Sequence, residues 1–578
     1  MSRARWFSPA TSLAVLTASV VSSVAFPALA QTASQVTRDD YAPPVSREAE
    51  GELVAPEPER REAPEGAEAL TVTPSGLEIE GGLPDLADAA GALAVRIEGK
   101  PVSAADLFAL AHDLETAYAR AGYLLARVSL PPQTIRDGAP LKLVVTDGYV
   151  SAIDLSALPE RARPRVRTLL TPLIGERWLT RQEIERRLLL AGDTPGVRLN
   201  SALRAGDAPG STVLVVGGDY RPVAGSAAFN NSLSDAFGSY AVNLSMDLNN
   251  LAGAGEVGYA YLGGDPGDMF SSDPRNRQMV VGVTAPLGAS GFWGGLEGVD
   301  SRTHPTIDLG YDLRDHFQRL TLRGGYHIKR SRNLNASSVL SLDLANETEV
   351  LDLGGGVRQD FFRDQLRVLR LSVTGDAYSS TGGRFAGGVT ASFGLDALGA
   401  RQPSTVRPMS RDGADPEFQK LEASLRYSRA LGDVAQLSFS GRAQTSFGDP
   451  LAASEQMALG GMDWLSAFDA GSISADTGAA ARGDITFPGL FRLQSKGATV
   501  GAVITPYVFL AGGVAELERP TAVEAATVRA GSVGAGLYVS LPRRESSQDA
   551  LLRFEFAHGN TSDDDAEDSF RIALSVGL

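Results

Sequence analysis

The sequence predicts an outer-membrane β-barrel of about 16 antiparallel strands preceded by two small α/β modules. Three observations predict it. Helical periodicity is confined to the residues before about 222, and period-two alternation runs from there to the end. The first thirty residues have the form of a secretory signal. No run of 18 apolar residues follows that signal, so helices are not expected to cross a membrane.

The signal is expected over residues 1–30. Arg3 and Arg5 form a basic start, Leu13 to Phe26 is apolar, and Ala28-Leu29-Ala30 before Gln31 is a small-x-small cleavage site. An N-terminal membrane anchor is the competing reading, but the apolar stretch is short for a span. The chain has 578 residues, a net charge of −16 and no basic cluster, which argues against nucleic acid as a partner. It has no Cys, which excludes a disulfide framework or a thiolate metal site.

Residues 31–74 read as an acidic, Pro-rich linker. Residues 31–70 hold ten acidic residues against four Arg, five Pro and a single aromatic, Tyr41. Such a run buries too little apolar surface to fold alone. A short helix over 46–54, acting as a plug, is compatible with it.

Residues 75–148 form the first α/β module. Leu93 to Ile97 reads as a strand. Ser103 caps a helix with Asp106 three residues on, and Leu107, Leu110, Ala111, Leu114 and Tyr118 give it one apolar face. The helix ends at Gly122. Strands over 123–130 and 141–145 follow, separated by Pro131-Pro132 and Asp137-Gly138; the prolines cannot donate to a ladder. Residues 149–222 repeat the scheme. A strand over 150–155 precedes a helix from about Arg161. Thr180 and Glu183 form a second capping box, with Ile184, Leu188 and Leu189 expected inside.

Residues 223–578 read as the barrel. Phe570, Ile572, Leu574, Val576 and Leu578 alternate with Arg571, Ser575 and Gly577. Leu552, Phe554 and Phe556 alternate with Arg553 and Glu555, and Val533 to Leu541 repeats the pattern. In an outer-membrane barrel the apolar face meets lipid and the polar face lines the lumen. The chain ends on such a strand with no tail. At about 22 residues per strand and connection, 356 residues make roughly 16 strands.

Other signals have simpler readings. Gly253 to Gly258, GAGEVG, continues into a strand where a dinucleotide site needs a helix, and reads as a barrel turn. Asp563 to Asp568 lacks EF-hand spacing and reads as a solvated loop. His112, His304, His316, His327 and His558 form no H-E-x-x-H pair. Ala530 to Gly534 lacks the first Gly of a nucleophile elbow and reads as a Gly-rich lumen face. No acid–base or nucleophile constellation emerges, so no enzyme, cofactor or metal is expected.

The run Gly122 to Gly148, GYLLARVSLPPQTIRDGAPLKLVVTDG, resembles the first POTRA domain of the two-partner secretion transporters (TpsB), the secretion-activation proteins of haemolysins and adhesins. The resemblance rests on Gly122 and Tyr123 at a helix end, Pro131, Pro132 and Gln133 after a strand, and the Asp137-Gly138 turn. Gly192 to Leu214 is similar to the second POTRA domain. Residues 459–484, LGGMDWLSAFDAGSISADTGAAARGD, resemble the loop that folds back into the pore in this family. Leu459, Gly460, Gly461, Phe468, Asp476, Gly478 and Arg482 match that loop, and Asp484 stands where the family has Glu. The family's Arg-Gly-aromatic tip is absent, since Ser466 and Ala467 fill the Arg and Gly places. The wall segment that faces it, with Tyr507 and Phe509, carries Ala511 where the family has the Asp partner. Loss of both partners is near neutral where loss of one costs several kcal/mol. Trp464, Phe468, Asp476 and Arg482 are therefore expected to hold the loop instead.

The resemblance implies a pore that exports one unfolded protein partner, its POTRA domains in the periplasm and its barrel in outer-membrane lipid, as a monomer. An assembly factor that inserts other barrels and a passive porin are the alternatives. The porin is disfavoured by residues 75–222, which porins lack.

Overall fold

The computed structural model describes residues 31–38, 40–45, 63–306, 311–495, 498–541, 550–563 and 566–578. The secretory signal expected over 1–30 and the helix expected over 46–54 lie outside them, as do Asp564 and Asp565 of the acidic run.

The first module packs helices α1 (Ala87–Ile97) and α2 (Ala104–Arg120) on a small sheet. In that sheet, strand Pro140–Thr146 pairs with Gly76–Glu80 in parallel and with Arg127–Ser129 antiparallel. Ser103 and Asp106 form the expected capping box at the start of α2. The Ser103 backbone N–H holds the Asp106 carboxyl below its ordinary range. Leu107, Leu110, Ala111, Leu114 and Tyr118 are all buried and pack on Leu141, Leu143 and Val145. Two local expectations are corrected. Residues 93–97 are the last turns of α1, because the Ala-rich stretch around them favours a helix and a five-residue apolar run cannot decide between the two states. Of residues 123–130 only Arg127–Ser129 join the ladder, since the chain turns at Tyr123 to Ala126.

The second module places α3 (Arg163–Leu170) and α4 (Arg181–Gly192) on strands Tyr149–Asp154, Ser211–Tyr220 and Val197–Ala205, in that sheet order. Thr180 and Glu183 form the second capping box. Ile184, Leu190 and Ala191 are the buried residues of α4; Leu188 packs at the edge of the core and Leu189 is only half-buried.

The two modules meet at a tight joint. The Gly122 carbonyl accepts the Arg181 N–H at 2.7 Å, and Tyr123 and Tyr118 flank Trp178 with ring centroids at 5.9 and 6.1 Å. Gly148 lies against the neighbouring backbone, where an added Cβ falls 1.9 Å from the Leu125 carbonyl oxygen. Gly148→Ala is expected to cost roughly 3 kcal/mol. An unchanged urea transition for the two α/β modules of the full-length protein would contradict this.

From Val223 the chain forms the barrel. Among the described residues, seventeen strand segments close in chain order, from Val223–Asn230 to Glu567–Gly577. Thr477–Thr486 and Gly489–Ser495 lie in line against the one strand Ala498–Glu516, so they count as one and the barrel has sixteen strands. Pro488 sits at the break, where it removes a ladder donor. Closure is made by antiparallel pairing of Ser226–Asn230 with residues 573–577.

The alternation read from the sequence sorts side chains as expected. Arg571 and Glu555 point inward and are buried, whereas Phe556 and Phe570 are more than half exposed on the outside. Met279, Val281, Val283, Leu320, Leu322, Leu510 and Val533 extend the outer apolar surface. In water such a surface would be a severe liability, and in lipid it is the solvated state. GAGEVG is a turn leading into strand Val257–Gly264, as its sequence context indicates.

Candidate functional site

The lumen is filled from two directions. From the N-terminal side, residues 31–38 and 40–45, within the stretch read as a linker, run inside the barrel. The Ala33 N–H donates to Asp315 Oδ2 at 2.8 Å, and the Ser34 N–H and hydroxyl donate to the Glu347 carboxylate at 2.8 and 2.9 Å. Gln278 donates to the Val36 carbonyl at 2.6 Å, and Arg323 pairs with Asp40 at 2.7 Å. Tyr41 stacks obliquely on Tyr261 at 4.7 Å. Apolar content alone predicts no fold for this segment. The polar wall supplies the partners that a hydrophobic core would not: wall carboxylates accept the Ala33 and Ser34 N–H groups, and the Gln278 amide donates to the Val36 carbonyl.

From the outer side, the connection between strands Ala435–Thr445 and Thr477–Thr486 folds into the lumen. Its glycines have a geometric reason. Gly461 has φ +107°, and a Cβ on Gly460 would fall 2.2 Å from the Asp469 carbonyl oxygen, where the loop crosses itself. Leu459, Ser466 and Phe468 are buried. Trp464 lies under the Arg442 guanidinium at 4.6 Å. Asp476 anchors the end of the loop, accepting the Leu451 N–H, the Gln456 amide and the Glu518 N–H at 3.2, 2.9 and 2.9 Å.

The loop is shorter than its sequence suggests. Residues 477–484 are barrel wall, because their alternation points Gly478, Ala480 and Arg482 inward on a regular strand. Gly478, Arg482 and Asp484 therefore face the loop instead of belonging to it. A side chain at 478 would meet the Val514 carbonyl oxygen at 2.6 Å.

Three wall arginines grip the loop tip. Arg482 Nη1 donates to the Met462 carbonyl and the Ser466 hydroxyl, both at 3.2 Å. Arg553 Nη2 reaches the same Met462 carbonyl at 2.9 Å. Arg571 donates to the Ser466 and Ala467 carbonyls at 3.1 and 3.3 Å and pairs with Asp469 at 2.9 Å. Glu555, 1% exposed, gathers Arg482 and Arg553 at 2.8 and 2.6 Å and accepts the Tyr507 hydroxyl. The Arg482 guanidinium also lies 3.7 Å from the Phe509 ring centroid, and Asp484 accepts its Nε at 3.0 Å. Ala511 sits opposite Arg482 in the ladder. The charge that holds the tip is thus carried by the wall, and an Arg at 466 would meet Arg482 head-on. Sequence reasoning missed Glu555, Arg553 and Arg571 as loop contacts; their inward register was the available signal.

Beneath the barrel, the second module is clamped to the mouth. Arg330 forms a two-pronged pair with Asp193 at 2.7 and 2.8 Å, with both side chains buried. Arg165, Arg186 and Arg187 donate to the Gly288, His327 and Ala289 carbonyls at 2.7, 2.9 and 2.8 Å.

Residues 210–538 match the family model of the haemolysin secretion/activation protein ShlB/FhaC/HecB, and residues 77–148 match that of the ShlB-type POTRA domain. The chain belongs to the ShlB/FhaC/HecB family. These are outer-membrane barrels whose POTRA domains lie in the periplasm, which places the Arg330–Asp193 clamp on the periplasmic side of the pore. The chain is 25% identical over 398 residues to the heme/hemopexin transporter protein HuxB of Haemophilus influenzae, spanning 66% of each protein. It is 24% identical over 393 residues to the outer membrane transporter CdiB of Dickeya dadantii, spanning 65% of each. The chain therefore spans just under two thirds of the length of these relatives. Its fold is that of CdiB from Escherichia coli, with a TM-score of 0.70 at 20% identity over 89% of this chain and 92% of the other. CdiB from Acinetobacter baumannii superposes with a TM-score of 0.60 at 14% identity, over 98% and 97%.

The POTRA residues singled out in the sequence have local roles in this ShlB/FhaC/HecB-family chain. Gly122 and Tyr123 make the joint between modules. Pro131-Pro132 ends the ladder, and the Gln133 side-chain amide replaces it, exchanging two hydrogen bonds with the Lys142 backbone at 2.7 and 2.9 Å. Asp137 accepts the Thr73 N–H at 2.7 Å, and Gly138 turns there with φ +76°.

Proposed function

We propose that this protein exports one unfolded protein partner through its barrel, capturing it first on the POTRA domains. The observation that carries the reading is the kind of filling the lumen has. Both fillers, residues 31–38 with 40–45 and the loop from 446 to 476, are tied to the wall by side-chain hydrogen bonds and ion pairs, and neither joins the closed strand ladder, although the loop also packs Leu459 and Phe468 on Tyr507 and Phe509. Such contacts exchange with water or with a passing chain at little net cost, because each broken bond is replaced. Strand Val197–Ala205 is an edge of the second POTRA sheet and offers unpaired backbone groups for an extended client. The loop residues Leu459, Gly460, Gly461, Trp464, Ser466, Phe468 and Asp476 form the movable gate. Gly478, Arg482, Asp484, Tyr507, Phe509 and Ala511 form the wall against which it rests. The chain shows no Walker motif, so folding of the client outside is the driving force. The barrel works as a monomer in outer-membrane lipid.

The test is deletion in the native host, followed by comparison of surface and culture-fluid proteins. Loss of one large secreted protein is expected. Broad loss of outer-membrane barrels would instead assign the chain to barrel assembly.

A further inference from the structure

The inner loop, residues 446–476, carries Asp449, Glu455, Asp463, Asp469 and Asp476 and no Lys, Arg or His. The wall is basic where the loop meets it. Glu455, 3% exposed, takes a two-pronged pair from Arg370 at 2.6 and 3.0 Å and a second pair from Lys420 at 3.0 Å. Asp469 takes Arg571 at 2.9 Å. The loop carbonyls follow the same polarity. Lys420 donates to that of Glu455 at 3.0 Å and Gln444 to that of Asp476 at 2.9 Å, while Arg482, Arg553 and Arg571 hold the carbonyls of the tip. Among the described residues, no loop N–H donates to a wall carboxylate; Ala467 and Ala470 donate to the Ser532 hydroxyl and the Ser232 carbonyl. The loop is held as an acceptor, and the wall beneath it is a row of donors.

These donors are covered at rest and are uncovered by the same movement that opens the pore. When the loop leaves, Arg370, Lys420 and Arg571 each lose a carboxylate, and no wall acid loses a cation. The wall's own acids stay paired, Asp343 with Arg370, Glu422 with Lys420, and Glu555 with Arg482 and Arg553. Arg571 is the most exposed to the change, because Asp469 is the only carboxylate within ion-pair distance of it among the described residues. A cation deprived of its partner in a confined space favours an occupant that brings acceptors. Any extended chain supplies carbonyls, and only an acidic one supplies carboxylates as well. The basic track is local. On another part of the wall Asp315 and Glu347 hold Ala33 and Ser34, so the lumen as a whole is not simply positive.

We propose that the wall uncovered by the loop, from Lys420 and Arg370 to Arg571, is a docking track for an acidic extended segment of the protein client, and that the loop occupies it at rest as a stand-in for that segment. Client carboxylates replace those of Glu455 and Asp469, and client carbonyls replace those of the loop tip. The track rests on the export reading and names the chemistry of the partner inside the barrel, separate from capture on the POTRA sheet edge. It also explains why the loop carries acids alone: an acidic client competes for the same donors and so releases the gate as it enters.

The test removes both charges of one pair in the full-length protein, Arg571→Gln together with Asp469→Asn. If Arg571 only holds the loop, losing both partners is near neutral and export is normal. If the track reads a client carboxylate, export of the secreted protein that is lost on deletion falls roughly tenfold, with resting conductance and heat-modifiable gel mobility unchanged. A second measurement needs neither that variant nor the client. Glu455→Gln protein is placed in a planar bilayer, and a dodecapeptide of alternating Glu and Ser is added on the side of the α/β modules. It is expected to block the current at roughly tenfold lower concentration than a dodecapeptide of alternating Lys and Ser. Normal export by the folded double variant, or block by the two peptides at equal concentration or in the reverse order, overturns the track while export stands. If deletion removes no secreted protein, the export reading fails and the track fails with it.

Discussion

Replacing Glu555 with alanine is expected to destabilise the barrel by about 3–5 kcal/mol and to release the inner loop. Glu555 is 1% exposed and takes ion pairs from Arg482 and Arg553 together with the Tyr507 hydroxyl. Without it two guanidiniums remain in a confined space, with only Asp484 beside Arg482 as compensation. Removing one partner of a buried cluster costs more than the cluster contributes as a whole, because the leftover charge stays desolvated. The same two guanidiniums hold the Met462 carbonyl, so their displacement also loosens the loop tip. Two measurements check this. The urea midpoint of the protein in lipid vesicles falls, and single-channel conductance in a planar bilayer rises. Glu555→Gln preserves shape without charge and is expected to show most of both effects. A glutamine variant that melts and conducts like the parent would show that packing, not charge, retains the loop.

Arg330→Ala is expected to cost a similar amount, about 3–5 kcal/mol, but at a different place. The pair with Asp193 is two-pronged and buried, and it joins the barrel wall to the end of α4. Losing the guanidinium leaves the Asp193 carboxylate buried against the barrel mouth. The remaining ties include the Arg332–Glu185 pair at 3.3 Å and hydrogen bonds from Arg165, Arg186 and Arg187 to backbone carbonyls, so the second module is expected to loosen on its connection at 222–223. Spin labels on single cysteines in the second module and on the barrel rim would report a broadened distance distribution. The double variant Arg330→Leu with Asp193→Leu is expected to recover part of the loss, since it removes both charges together. Equal broadening in the single and double variants would reject an electrostatic clamp.

What was legible in the sequence was local or periodic. The capping boxes at Ser103 and Thr180 lie within three residues of their partners. The apolar face of α2 repeats at helical spacing, and the alternation through Arg553, Glu555 and Arg571 assigns them to the lumen from period alone. The Leu-Gly-Gly run at 459 was legible as a match to the family's pore loop, and the fold then showed the crossing that needs its glycines. Short-range signals failed where two states share one pattern. Residues 93–97 are five apolar-rich positions that suit a strand or a helix, and the helix around them decided the matter. Strand Gly76–Glu80 exists because Pro140–Thr146 is there to pair with it.

By itself the sequence determined a sixteen-strand barrel behind two capped α/β modules, because strand alternation and helix capping depend on neighbours a few residues apart. Only the tertiary structure decided what fills the barrel. Ala33 and Ser34 meet Asp315 and Glu347 across roughly three hundred residues of chain, and Ser466 meets Arg571 across about a hundred. Those meetings depend on the curvature of a closed sheet, which brings distant inward-facing groups into one confined, polar space. No local pattern encodes that proximity, so a segment too polar to fold alone becomes ordered only when the wall surrounds it.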